Sequence, residues 1–162
     1  MTIASTFAVL WVLILTIGGG LLTKIDSWYF NLKKPAWQPP DWLFGPAWTI
    51  ILGLAGLAFW LSWEAALAKG EGNVLISLYL INGFLHFLWS PLFFKAKRPD
   101  WALVEVPFLW LSVIAITISL RDYSFGASLL TLPYLIWVSF ASALNWKIFH
   151  WNKPFFSGCI HS

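Results

Sequence analysis

The sequence predicts an all-α integral membrane protein in which residues 1–162 form one domain, a bundle of five transmembrane helices. Of its residues, 59% are hydrophobic and only 10% are charged, whereas soluble domains contain about 25% charged residues. Five apolar stretches reach the length of roughly 20 residues that a helix needs to cross the hydrocarbon layer. Most are separated by short polar turns, so neighbouring helices must run antiparallel.

The five predicted helices are joined by short connections, except for one long loop after the first helix. The connections "KGEGN", "KAKRPD" and "RDYS" are short and polar. Pro46 suits the first turn of the second helix, where a backbone N–H has no helical partner. Transmembrane helices are expected at about 3–22, 46–67, 74–94, 101–120 and 125–149, with a loop rich in tryptophan and proline at 23–45.

The basic residues predict an orientation, because cytosolic loops of membrane proteins carry an excess of lysine and arginine. The N-terminus is expected outside and the C-terminus in the cytosol, in a bacterial inner membrane or its equivalent. Because the basic residues lie between apolar runs, lipid is the expected surrounding partner and no nucleic-acid partner is expected. Eight lie on the cytosolic face (Lys24, Lys33, Lys34, Lys95, Lys97, Arg98, Lys147, Lys153) and two on the other (Lys69, Arg121).

The residues needed for several common kinds of functional site are missing from this sequence. The single cysteine, Cys159, excludes an internal disulfide framework and a cysteine-based metal site. No P-loop, catalytic triad or pair of carboxylates is present, and Glu105 alone is not an acid–base pair. The pattern therefore favours a binding protein over an enzyme, with no obligatory cofactor.

Polar side chains inside the predicted spans each require a reason. Asn82 and His86 lie one helical turn apart in the third span, and Trp89 and Phe93 continue the same face. Hydrogen bonding between helices is the expected role of such residues, with a ligand contact as the alternative. His86 could also offer its imidazole to a metal, although the spans contain no second histidine for a bis-histidine haem site.

The thirteen tryptophans divide into two expected groups. An aromatic belt at the membrane surface is expected to include Trp28, Trp42, Trp146 and Trp151. Farther from the predicted interfaces, and aligned with the polar residues, lie Trp48, Trp89 and Trp137. Indole-lined cavities with a few hydrogen-bonding groups suit flat, largely apolar ligands.

The long loop contains the stretch "KPAWQPPDW". Pro35, Pro39 and Pro40 remove backbone donors and restrict the backbone, so this stretch is expected not to form a regular helix. Its aromatic side chains should avoid water. We therefore expect a stiff lid across the cytosolic end of the bundle, over a binding pocket.

The stretch "WYFNLKKPAWQPPDWLFGPAW" resembles the signature of the translocator protein family, whose members are also called tryptophan-rich sensory proteins or peripheral benzodiazepine receptors. The stretches "LYLINGFLHFLWSPLFF", "WALVE" and "LPYLIWVSFASALNW" resemble the same family, in the same order. The resemblance implies a five-helix bundle, commonly a homodimer. It also implies one pocket beneath the first loop that binds porphyrin-type tetrapyrroles such as protoporphyrin IX and haem.

The resemblance also implies a set of ligand-binding residues, with a departure in the third span. That span usually carries glutamine and asparagine where this chain has Asn82 and His86, which favours tetrapyrroles or creates a new polar contact. Two alternatives remain open: light-dependent porphyrin degradation through Trp48 and Trp137, and a role as accessory subunit of a larger, pigment- or haem-containing membrane complex. The expected pocket residues are Tyr29, Pro39, Trp48, Asn82, His86, Trp101, Glu105, Trp137 and Ala141.

Overall fold

The computed structural model describes residues 2–153, which are mainly helical. Five of its helical segments are long and apolar enough to cross a membrane, which confirms the all-α, five-span fold. Cys159 and His161 lie outside the described residues. The elements are α1 (Ile3–Leu22), α2 (Ser27–Asn31), α3 (Asp41–Ala68), α4 (Gly72–Ser90), a π-helical turn (Pro91–Lys95), α5 (Pro99–Tyr123), α6 (Phe125–Leu130) and α7 (Leu132–Asn152).

The second span begins earlier than expected. Helix α3 starts at Asp41, so Pro46 lies inside the helix and not in its first turn. A carboxylate in the first turn interacts favourably with the helix dipole, which is one reason for the early start. The loop therefore shortens to residues 23–40, and it contains the short helix α2, whose N-terminus is capped by Asp26. We call residues 23–40 the lid.

The fifth span is two helices and not one. Helices α6 and α7 meet at Thr131, whose backbone N–H and hydroxyl both bond to the carbonyl of Ser128. Pro133 follows two residues later and has no N–H to donate to the preceding turn, so the hydrogen-bond ladder is interrupted there. The two helices together make up the fifth span, Phe125–Asn152.

The core of the bundle is held by close helix contacts and by hydrogen bonds between helices. Helix α1 packs on α3 and α4, and α5 packs against α4, α6 and α7. The indole N–H of Trp11 donates to the carbonyl of Tyr79 at 2.8 Å, and the Tyr79 hydroxyl donates to the carbonyl of Ala55 at 2.8 Å. These two bonds join α1, α4 and α3.

The lid crosses one end of the bundle and is attached at several points. Lys97, between α4 and α5, forms an ion pair with Asp26 at 3.1 Å. The backbone of Lys33 exchanges two hydrogen bonds with the side chain of Asn152 at the end of α7. The Trp37 ring packs on Phe140 of α7 at 5.5 Å. These contacts fasten the lid to the α4–α5 connection and to α7.

Candidate functional site

A cavity of about 480 Å³ lies beneath the lid. Its size falls in the range of about 300–1,000 Å³ that is typical of small-molecule sites. All five spans contribute to its wall, and the lid contributes Tyr29. Residues that line it include Leu15, Thr16, Tyr29, Asp41, Phe44, Trp48, His86, Trp89, Phe93, Phe94, Leu109, Ala141, Leu144 and Asn145.

Aromatic rings build much of this wall. Trp48 of α3 meets the His86 ring edge to face, with centroids 4.6 Å apart and an interplanar angle of 80°. Trp89 stacks on Phe93 at 5.1 Å and 18°. The π-helical turn lets the consecutive residues Phe93 and Phe94 both face the cavity. Rings in these orientations offer both faces and edges to a flat ligand.

The lid is closed at the cavity by a small polar cluster. The Tyr29 hydroxyl donates to the Asp41 carboxylate at 2.7 Å, and the Gln38 amide donates to both groups at 3.1 and 3.0 Å. Burial and the neighbouring Asp41 carboxylate raise the pKa of the Tyr29 phenol well above its usual range. Tyr29 therefore remains a hydrogen-bond donor at neutral and moderately alkaline pH.

A chain of hydrogen bonds runs from the cavity wall into the core. His86 Nδ1 lies 3.2 Å from the Tyr134 hydroxyl, which donates to Asn82 Oδ1 at 3.1 Å. Asn82 Nδ2 donates to Ser112 Oγ at 2.8 Å, and that hydroxyl donates to the Leu109 carbonyl at 2.7 Å. The chain joins α4, α5 and α7, so Asn82 acts here as a link between helices.

The expected pocket residues separate into two groups. Tyr29, Trp48, His86 and Ala141 line the cavity together. Asn82, fully buried, lies behind the wall in the hydrogen-bond chain. Pro39 and Trp137 are half-buried and do not reach the wall, and the Trp137 ring packs against Trp48 at 6.2 Å and Phe44 at 5.8 Å.

Trp101 and Glu105 were expected in the pocket, but neither lines the cavity. Trp101 is 58% exposed, lies outside the cavity and packs against the Arg98 guanidinium at 5.6 Å. Glu105 is 6% exposed but does not line this cavity, and neither carboxylate oxygen has a hydrogen-bond partner among residues 2–153. A spacing of four residues leaves side chains about 40° apart around a helix, which separates the two at the edge of the packed face.

Two cavity residues that were not among the expected pocket residues, Asn145 and Trp89, carry buried polar atoms without a partner in the described residues. Asn145 is 1% exposed, and neither its amide nitrogen nor its oxygen has a partner in the described chain. The indole N–H of Trp89 is buried and unpaired in the same way. Both lie on helix faces that the sequence places inward, one turn after Ala141 and His86. Buried polar groups without partners are costly, so these two are suited to contact a ligand or water.

The fold and the site together define an integral membrane protein of five helical spans, with a ligand-sized, aromatic-lined cavity under a proline-rich lid. Residues 7–151 match the model of the TspO/MBR family. The chain belongs to this family.

Relatives from bacteria and animals agree with this assignment. The chain is 40% identical over 136 residues to the tryptophan-rich protein TspO of Chlorobaculum tepidum, covering 83% of this chain and 86% of the relative. It is 39% identical over 137 residues to the tryptophan-rich sensory protein of Cereibacter sphaeroides, covering 83% and 84%. It is 33% identical over 132 residues to the human translocator protein, covering 81% and 78%.

Proposed function

We propose that this protein binds porphyrin-type tetrapyrroles in the cavity beneath the lid, for their sensing, transport or disposal. The observation that carries the proposal is the cavity of about 480 Å³ with Trp48, Trp89 and Phe93 in its wall. Such a wall suits a broad, flat and mainly apolar ring. The relatives' names, translocator protein and tryptophan-rich sensory protein, support a role in moving or sensing a ligand.

The polar groups of the cavity support the same class of ligand. Asn145 Nδ2 and the Trp89 indole N–H are donors without partners in residues 2–153. A porphyrin-type tetrapyrrole carries acceptors such as carboxylates or carbonyls at the edge of an apolar plane. The acceptors of such a ligand would receive hydrogen bonds from these two donors while its apolar ring packs against the apolar wall of the cavity.

Filling the cavity tests this proposal. In lipid nanodiscs, Ala141→Phe should weaken protoporphyrin IX binding by at least about tenfold, equivalent to about 1.4 kcal/mol, because Ala141 lines the cavity. Quenching of tryptophan fluorescence measures the affinity. The matched control is Ala143→Phe, which adds the same ring on the exposed side of α7 and should bind as the unmodified protein does. Equal affinities in all three proteins would contradict the proposal.

Light-dependent degradation of the bound porphyrin is a second candidate function. Trp48 lines the cavity, and its ring lies 6.2 Å from Trp137 at an interplanar angle of 87°. Two indoles in contact beside a photosensitising ligand favour this candidate. Under illumination, a defined product should form with the unmodified protein and disappear with Trp48→Phe. Photobleaching at the rate of free porphyrin would remove this candidate.

A homodimer, or a place as a subunit in a pigment- or haem-containing membrane complex, remains part of the proposal. The outer surface supports either partner as well as lipid, because it exposes large apolar side chains such as Phe84 and Ile136. The mass of the protein extracted with its native lipid distinguishes these assemblies. A stable complex with other chains would favour the subunit role, and a mass of two chains would favour the homodimer.

A further inference from the structure

We propose that His86 is the axial ligand for the metal of a metallated tetrapyrrole bound in the cavity. The inference rests on the proposed function, and it narrows the ligand class from porphyrins in general to rings that carry a metal such as iron or magnesium. Its basis is the direction of the hydrogen-bond chain behind the imidazole, together with the place of the imidazole in the cavity wall.

The chain of hydrogen bonds selects one tautomer of His86. Ser112 Oγ donates its proton to the Leu109 carbonyl, so it accepts from Asn82 Nδ2. This orients the Asn82 amide with its oxygen toward Tyr134, and the Tyr134 hydroxyl gives its only proton to that oxygen. The Tyr134 oxygen must therefore accept from His86, so Nδ1 carries the proton.

The other nitrogen, Nε2, is then an unprotonated donor of a lone pair. It makes no hydrogen bond to any residue in 2–153, and His86, which is 9% exposed, lines the cavity. A neutral imidazole held through one N–H while the other nitrogen binds the metal is the usual arrangement of metal-ligating histidines. Coordination through Nε2 forms one bond to the metal and releases no proton.

The metal must enter within a ring. No group of three or more His, Cys, Asp or Glu residues in the described chain could hold a bare ion. A metallated tetrapyrrole brings four nitrogen ligands and needs the protein only for an axial position, which a single imidazole can occupy. The perpendicular contact between Trp48 and His86, at 4.6 Å, limits rotation of the imidazole.

The test compares ferric haem with metal-free protoporphyrin IX on the full-length protein in lipid nanodiscs. We expect the Soret band of haem to shift on binding, and zinc protoporphyrin, which accepts one axial ligand, to shift as well. With His86→Asn both shifts should disappear, and haem affinity should fall by at least about tenfold. The affinity for metal-free protoporphyrin IX should change much less than the affinity for haem, because only haem loses a bond between the protein and a metal.

A second variant tests the orientation of the imidazole. Tyr134→Phe keeps the ring but removes the acceptor for Nδ1–H, so haem affinity should fall by roughly 10- to 100-fold while metal-free binding remains. The control carries His150→Asn and His161→Asn, which replace the other two histidines. His150 is exposed and stacked on Trp146 at 5.4 Å. This control should keep the full spectral shifts.

The possible failures are distinguishable. If the unmodified protein binds haem and metal-free protoporphyrin without any shift for haem or zinc protoporphyrin, ligation by His86 is overturned while the proposed function stands. Ligation by His86 is also overturned if the spectral shifts persist in His86→Asn, or if they are lost in the control that carries His150→Asn and His161→Asn. If none of the three tetrapyrroles binds the unmodified protein, the proposed function itself fails.

Discussion

Trp11 and Gly83 show how single residues set the distance between helices. A Cβ atom on Gly83 would lie 2.8 Å from Trp11 Nε1, the atom that donates to the Tyr79 carbonyl. Gly83 therefore lets α4 approach the indole of α1, while the indole satisfies a carbonyl one turn earlier on α4. The glycine faces the core and does not form a seam for a second copy of the chain.

Replacing this glycine should destabilise the bundle. In Gly83→Ala the methyl group must displace a rigid indole that is already hydrogen-bonded, and overpacking of this kind costs about 1–3 kcal/mol. Thermal unfolding in detergent should show a lower Tm. Gly53→Ala is the matched control, because a Cβ there meets no atom within 4 Å, and its Tm should be unchanged or slightly higher. Equal Tm values for both variants would contradict this account.

At the scale of elements, the lid combines a stiff backbone with fixed ends. Its turn closes with a hydrogen bond from Gln38 N to the Pro35 carbonyl at 3.0 Å, and Pro40 caps α3. Tyr29 on α2 reaches forward to Asp41 at the start of α3. The lid therefore has little conformational freedom to lose when a ligand binds beneath it.

Loosening the lid should shorten the lifetime of the complex. With Pro39→Gly and Pro40→Gly together, the backbone must be ordered again each time the lid closes, which costs free energy on binding. We expect faster dissociation of protoporphyrin IX, measured by displacement in stopped flow, with a smaller change in association. An unchanged dissociation rate would show that the segment only anchors the protein at the membrane surface.

The ion pair between Asp26 and Lys97 should make the start of the lid sensitive to acid. The hydrogen bond from Lys97 lowers the pKa of the Asp26 carboxyl below its usual value of 3.8. A lowered folded-state pKa gives stability above the unfolded pKa that is lost as the pH falls through the folded value. Hydrogen exchange in α2, corrected for intrinsic rates, should be equal at pH 7 and pH 5 and should accelerate as the pH falls below 3.8.

The variant Lys97→Met should accelerate this exchange at both pH values, because it removes the cation and keeps most of the aliphatic side chain. Lys95→Met provides a control from the same connection. Exchange that accelerates equally in the two variants would show that the ion pair does not hold the lid.

At the scale of the whole molecule, the contacts gather the basic connections at one end of the bundle. The Asp26–Lys97 ion pair and the hydrogen bonds between Lys33 and Asn152 join the lid, the α4–α5 connection and the end of α7. At the opposite end, the α3–α4 and α5–α6 turns meet where Lys69 Nζ donates to the Asp122 carbonyl. Eight of the ten lysines and arginines therefore belong to the lid end.

This charge asymmetry predicts that the lid end faces the cytosol. In intact cells, the single cysteine, Cys159, should react with a membrane-impermeant maleimide only after permeabilisation. In a Cys159→Ser background, Asn73→Cys places an exposed thiol at the opposite end and should react without permeabilisation. The reverse pattern of labelling would invert the orientation.

The sequence by itself determined the number of spans, their order and the presence of a stiff aromatic lid. These features depend on local composition, since span length, charge distribution and proline content act over neighbouring residues. Helical periodicity also places Trp48, His86 and Ala141 on inward faces, and all three line the cavity. The predicted start of α3 at Pro46 was too late, because a proline removes one backbone N–H but does not prevent the helix from beginning about one turn earlier, at Asp41.

Only the tertiary structure decided which inward residues meet and what they do. Asn82 and His86 lie one helical turn apart and are both buried. Asn82 bonds to Ser112 and Tyr134 from two other helices, whereas His86 lines the cavity and, among the described residues, bonds only to Tyr134. Trp101 and Glu105 differ in exposure for a similar reason. A helical period assigns a residue to a face, but the neighbouring helices determine where that face stops being covered and which polar atoms find a partner.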